Sequence, residues 1–263
     1  MRFIDPHLHT DMIDDVILEN LAMSGMEAAV IPSPHMFKGM FTAEALFRLW
    51  RRFLDFEVNS AKSMGFEAFV TLSIPFYGLP LADVEECLKR LPEFLKHERV
   101  VGMGEVGLDC GIEDEAKLFR AELQIAKEHN LPIIVHTPIR LAPQAPKVIR
   151  QIVEVIKEEN FDMSRVVLDH TGESTLDYRL GTGAMVGLSV CHDKMPPEVA
   201  AEAVINNPGK RDKLLINSEL AGGDGYFTVA RVILAMRMKG MKRDEIEKVT
   251  YENPKEFFNL PLD

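Results

Sequence analysis

Short runs rich in β-branched and apolar residues alternate eight times along this chain with longer segments whose apolar residues recur at helical spacing. Strand side chains repeat their facing every second residue, and helix side chains about every 3.6, so the two kinds of run are separable by eye. The spacing predicts strands at Arg2–Asp5, Ala28–Ile31, Phe66–Ile74, Val100–Glu105, Pro132–His136, Arg165–His170, Ala184–Val190 and Lys213–Asn217. Between them it predicts helices over Met12–Ser24 capped by Asp11, Thr42–Met64, Leu81–His97 with a break or kink at Pro92, Glu113–Asn130, Pro146–Asn160, a short Thr171–Leu180, and Pro197–Asn206. Tyr226–Lys239 and Arg243–Tyr251 follow as closing helices, with Asn253–Asn259 as a short last one. Eight strands each followed by a helix is the count of a (β/α)8 TIM barrel. A doubly wound open sheet competes, but no Gly-rich phosphate fingerprint follows the first strand. No linker or repeat divides the chain, so one domain over 1–263 is expected.

Composition narrows the setting. The chain has 263 residues, 46% hydrophobic and 27% charged, and a formal net charge of −11. That balance suits a globular core and argues against broad nucleic-acid or anionic-membrane binding. The three cysteines, Cys87, Cys110 and Cys191, are scattered and in no metal-ligand spacing, which favours a reducing cytoplasm. No leader and no apolar stretch of membrane-spanning length is evident. The expectation is a cytoplasmic protein with no membrane partner and an oligomeric state left open.

In a barrel of this kind the functional residues gather at the C-terminal ends of the strands. Strand one ends in His7 and His9, which in extended chain share a face. Strand four ends in Glu105, strand five in His136, strand six in Asp169 and His170, and strand eight in Ser218 and Glu219. Imidazole is the commonest protein metal ligand, and scattered core histidines have no reason to choose strand ends. His7, His9, Glu105, His136, His170 and Glu219 are therefore the candidate metal ligands. Asp5 is read as orienting a ligand histidine from below, and Asp109 as organising the loop after strand four. His35 and His192 end strands two and seven and are candidate substrate contacts. Gly222, Gly223 and Gly225 suggest a loop over the site. His97, His129 and Trp50 are read as structural.

These residues carry a family resemblance. Asp5-Pro6-His7-Leu8-His9 matches the opening D-x-H-x-H of the TatD-related metal-dependent hydrolases, which are amidohydrolase-like TIM barrels. Gly104-Glu105-Val106-Gly107-Leu108-Asp109 matches the family's G-E-I-G-L-D with one conservative change. His136, His170 with Gly172, and Asn253 to Phe258 follow in family order. The resemblance implies two divalent ions (Zn, Mn or Mg), with His7, His9 and Glu219 on one, His136 and His170 on the other, and Glu105 bridging. It implies Glu219 and Glu105 as catalytic carboxylates and a metal-activated hydroxide attacking a phosphodiester. The substrate so implied is a small phosphoester or a nucleic-acid end, as for a DNase or exonuclease. Two positions depart from the pattern. The family's strand-eight aspartate is Glu219 here, and the arginine expected two residues after His136 is Pro138, with Arg140 the candidate replacement. Hydrolysis of a carboxylic ester, lactone or amide is the alternative, and a non-catalytic metal-binding barrel a further one.

Overall fold

Eight parallel strands pair in strict sequence order, β1 (Phe3–Asp5), β2 (Met26–Pro32), β3 (Glu67–Leu72), β4 (Val100–Gly107), β5 (Ile133–His136), β6 (Val166–Leu168), β7 (Met185–Ser189) and β8 (Leu214–Asn217). The computed structural model describes residues 1–35, 42–139, 142–191, 194–221 and 227–262. Just beyond the last strand a parallel bridge joins Leu8 to Leu220, with the Glu219 N–H donating to the His7 carbonyl at 2.9 Å. The ring is thus drawn shut at its C-terminal mouth, as expected of a single-domain (β/α)8 barrel.

Helices α1 (Asp15–Met23), α2 (Ala43–Arg51), α3 (Val58–Ser63), α4 (Leu81–Phe94), α5 (Glu113–Glu128), α6 (Ala145–Glu158), α7 (Leu176–Leu180), α8 (Pro197–Asn206), α9 (Thr228–Met238), α10 (Arg243–Glu247) and α11 (Asn253–Phe257) cover the outside. Three expectations need correction. Asp14, not Asp11, caps α1, its carboxylate accepting from the Ile17 N–H, because Thr10–Met12 forms its own 3-10 turn first. α4 runs through Pro92 to Phe94. A proline this near the end removes a single backbone hydrogen bond and terminates the helix soon after rather than breaking it in the middle. The last two closing helices run together, since π-helical Lys248–Glu252 links α10 directly to α11, while α9 stands apart. A similar π-helical stretch, Arg52–Glu57, joins α2 to α3 within the expected long helix, which begins at the Thr42 cap.

Strand alternation sorts the apolar side chains into two cores. Ile4, Ala28, Val30, Phe69, Ile134, Val167, Met185 and Leu215 fill the barrel, and Tyr251, Phe258 and Leu260 from the closing helical run pack against them. Ala29, Ile31, Val70, Leu72 and Val135 point the other way, into the layer under the helices. Fully burying such a side chain contributes roughly 1.5–3 kcal/mol. With the floor filled, the mouth is where polar residues can gather. No helix among the described residues is long and apolar enough to cross a membrane.

Candidate metal centre at the barrel mouth

Glu105 sits at the middle of the mouth, 3% exposed. Its two oxygens face different partners. Oε1 lies 3.5 Å from His7 Nε2 and 3.6 Å from His9 Nε2, while Oε2 lies 3.2 Å from His136 Nδ1 and 3.5 Å from His170 Nε2. His7 Nε2 and His9 Nε2 are themselves 3.2 Å apart. β1, β4, β5 and β6 place these groups, and close passage of the chain permits it. A Cβ on Gly107 would lie 2.4 Å from the His136 carbonyl, so only glycine lets β4 pass β5 here.

The rings are oriented from behind. His7 Nδ1 meets Asp169 Oδ2 at 2.6 Å, which turns Nε2 toward Glu105. His170 Nδ1 donates to the Thr137 carbonyl at 2.9 Å, turning its Nε2 the same way. Asp169 is held in turn, its Oδ1 accepting from Ser189 Oγ, Asn217 Nδ2 and the His170 N–H. Gly187 leaves the room, since a Cβ there would sit 2.1 Å from that same oxygen. Fully buried Arg179 donates to the Asp169 carbonyl and to Thr137 Oγ1 at 2.6 and 2.8 Å. Asp5, expected to orient a histidine ring, instead accepts the backbone N–H groups of His7 and Ser218 at 3.3 and 3.1 Å. It staples β1 to β8, and the ring's partner is Asp169.

Glu219 enters from β8 against His170 rather than beside His7 and His9. Its Oε1 is 3.1 Å from His170 Nε2 and 2.8 Å from Lys194 Nζ. Both Glu219 and His170 have left-handed backbone, φ 46° and 58°. Such conformations cost of order 1–3 kcal/mol each and persist where surrounding structure imposes them. Electrostatics follows the geometry. Burial would raise the Glu219 carboxyl, but His170 and Lys194 hold it down at about 2. Burial works against a charged His7 too, yet Glu105 and Asp169 carry it well above the usual imidazole range.

The donor set fits divalent cations. Tetrahedral ligands at about 2.0–2.1 Å from zinc stand roughly 3.3 Å from one another, the spacing seen around each Glu105 oxygen. Among the described residues, several buried atoms of these side chains have no hydrogen-bond partner: His9 Nδ1, His136 Nε2, His170 Nε2 and Glu219 Oε2. His7, Glu105 and His170 each offer an atom within 4.8 Å of the others. A bound cation would give such atoms a partner that the described residues do not supply.

Asp109 comes to the site, its Oδ1 3.5 Å from His136 Nε2. His35 comes too, stacked on His136 with centroids 4.2 Å apart. Arg140, His192 and the glycines at 222, 223 and 225 lie outside the described residues. Sequence reasoning missed the parts played by Asp169, Arg179 and Lys194, and that of Glu115. The Glu115 carboxylate accepts from the backbone of Asp109, Cys110, Gly111 and Ile112 and from Tyr77 Oη, fixing the loop that carries Asp109. Asp169 had one signal, its place beside His170 at a strand end. Lys194, beyond the end of β7, had none.

A barrel with buried histidines and carboxylates converging at its strand ends carries the donor set of a metal-dependent hydrolase. The chain belongs to the TatD related DNase family, whose model matches residues 4–259. It is 34% identical over 259 residues to a metal-dependent hydrolase of Methanocaldococcus jannaschii, covering 98% of this chain and 100% of that one. It is 22% identical over 212 residues to the human N-acetyltaurine hydrolase, covering 66% of this chain and 59% of that one. Among solved structures it is similar to a TatD-like protein of Archaeoglobus fulgidus, with TM-score 0.79 and 24% identity over 98% of this chain and 100% of that one. It is also similar to the Escherichia coli phosphotriesterase homology protein with phosphate in its active site, with TM-score 0.71 and 16% identity over 98% of each chain. At these identities the structures speak for the fold alone.

Proposed function

We propose that this protein hydrolyses a small or terminal phosphoester, using two divalent cations, Zn, Mn or Mg, held by His7, His9, Glu105, His136, His170 and Glu219. The observation that carries the reading is the division of two imidazole pairs between the two oxygens of Glu105, with an ammonium beside Glu219 at the rim. Two bound cations supply Lewis-acid polarisation of a phosphoryl oxygen and lower the pKa of water. The chain does the rest. Glu105 neutralises both halves of the cluster. Asp169 and Thr137 keep the Nε2 atoms of His7 and His170 turned inward. Glu219 Oε2, buried and without a hydrogen bond among the described residues, is the oxygen that takes the proton from the attacking water. Lys194, held at Glu219, offers positive charge to an anionic group of the substrate.

A second reading is amide hydrolysis. It is supported by the N-acetyltaurine hydrolases among the relatives and by Pro138 standing where the resemblance leads one to expect an arginine. The experiment is metal depletion followed by resupply of Mn, Zn or Mg, with bis(p-nitrophenyl) phosphate, a short single-stranded oligonucleotide, N-acetyltaurine and a lactone as substrates. Metal-dependent release of nitrophenol or terminal nucleotides supports the phosphoester reading. Turnover confined to N-acetyltaurine or the lactone replaces it.

A further inference from the structure

We propose that the ends of β2 and β3 form a binding subsite in which His35 and Ser73 hold an uncharged hydrogen-bonding part of the substrate, a carboxamide or a hydroxyl. His35 is 3% exposed, and its ring lies nearly parallel to that of His136, 4.2 Å away with 13° between planes. Tyr77 meets it edge-on at 6.4 Å. The stack sets the His35 ring beside a side chain that faces Glu105 on one edge and Asp109 on the other. Neither His35 nitrogen has a hydrogen-bond partner among the described residues, and the buried Ser73 hydroxyl has none either.

Position places these orphans beyond the ends of adjoining strands. β2 and β3 adjoin, with Pro32 in register with Thr71, so Ser73 follows at the same height as the segment leading to His35. Phe69 belongs to the barrel interior and Thr71 donates its hydroxyl to the Gly104 carbonyl, so alternation puts Ser73 on that inner side. Ile74 belongs to the outer layer, its N–H donating to Glu122 on α5, as alternation requires. A buried polar atom without a partner costs free energy that a bound group making the hydrogen bond recovers.

The chemistry of the pair selects the ligand. An uncharged imidazole offers one donor and one acceptor, and a serine hydroxyl offers both as well. A group that itself donates and accepts, such as an amide or a hydroxyl, matches them, whereas an anion would find no counter-charge on these two side chains. Lys194 follows β7, four strands from β3 in the ring of eight, on the opposite side of the mouth. The inference rests on the reading of a substrate with an anionic group and extends it. That group lies toward Lys194, the scissile bond lies over Glu105, and the neutral polar end lies toward β3.

The test is calorimetric binding to manganese-loaded protein, independent of turnover, with two charge-matched pairs: thymidine 5′-phosphate against phenyl phosphate, and N-acetylglycine against pentanoate. In the wild type the hydrogen-bonding member of a pair that binds should be favoured by about tenfold, the scale of one net hydrogen bond. His35→Phe keeps a ring to stack on His136, and Ser73→Ala removes one atom and keeps the test readable if the phenyl ring does not fit. Each should shrink the ratio several-fold. A ratio unmoved by both substitutions, or failure of all four probes to bind, overturns the subsite. Binding of the carboxylate pair alone, with the ratio still sensitive to His35 and Ser73, keeps the subsite and removes the phosphoester reading instead.

Discussion

Glu219 is held at three points: its N–H by the His7 carbonyl, and its carboxylate by His170 and Lys194. The extra methylene relative to aspartate carries Oε1 to both partners, while Oε2 has no hydrogen bond among the described residues. Glu219→Gln removes the base but keeps the shape. Turnover of any substrate found should fall by roughly a hundredfold or more, as steady-state kinetics would show, and unchanged turnover would remove Glu219 from the role. Glu105→Gln should weaken both metal sites in a metal titration, because an amide neutralises neither cation. Normal two-site occupancy would contradict the bridging role. Asp169→Ala frees His7 Nδ1 and should cost about 10–100-fold in metal affinity, the usual scale for a lost ring-orienting partner. An unchanged isotherm would show that His7 needs no such partner. The strand-end histidines were legible because their signal is local, two residues apart or at the end of an apolar run. Asp169 was not, because its partner His7 lies 162 positions away in the chain. Lys194 was not, because its meaning depends on where β7 stands relative to β8.

Elements were legible in kind and blurred at their ends. Apolar periodicity reports which face packs, whereas caps and π-helical turns depend on single contacts such as the Asp14 carboxylate on the Ile17 N–H. The same limit hid Glu122, which sits on α5 as part of an amphipathic helix yet is 2% exposed. It accepts the Ile74 N–H at 2.8 Å as β3 leaves the barrel. Burial raises its carboxyl to about 8. Between about pH 4.5 and 8 the folded chain therefore keeps a proton that the unfolded chain has lost, and stability falls as pH rises through that window. The slope from this group is at most roughly 1.4 kcal/mol per pH unit. Glu122→Gln accepts the same N–H without a charge to bury. The variant should match the wild type near pH 5 and exceed it near pH 8 by about 1–3 kcal/mol, read from urea unfolding at the two pH values. Parallel pH profiles for the two proteins would show that Glu122 folds in its ordinary ionised state.

At the scale of the molecule, counting eight strand–helix units was enough for the barrel, because a parallel sheet with a helix after every strand has few ways to close. The substrate's size is less legible, and charge is what bears on it. The chain carries 41 acidic and 30 basic side chains. Many of the basic groups are tied to acids on the helical shell, among them Arg48 to Glu44, Arg90 to Glu93, Arg99 to Glu67, Arg120 to Glu158 and Glu159, Lys239 to Glu202 and Arg243 to Glu247. At the rim of the mouth, Lys194 is tied to Glu219. A polymer held along its length needs a run of cations that track its phosphates, and each phosphate neutralised on single-stranded DNA adds about 0.7 to the negative slope of log affinity against log salt. Paired side chains on an acidic shell do not supply that run. If DNA is hydrolysed, the reaction should begin at strand ends, where one or two phosphates reach the mouth and the rest of the strand stays in solvent. Apparent affinity for a short oligonucleotide should then fall with a slope of roughly 0.7–1.4 between low and physiological salt. Closed circular DNA, which offers no end, should remain intact under conditions that shorten the linear form of the same molecule. Efficient nicking of the circle near physiological salt, or a slope several times steeper, would mean that an extended cationic surface exists and that the substrate enters by its length.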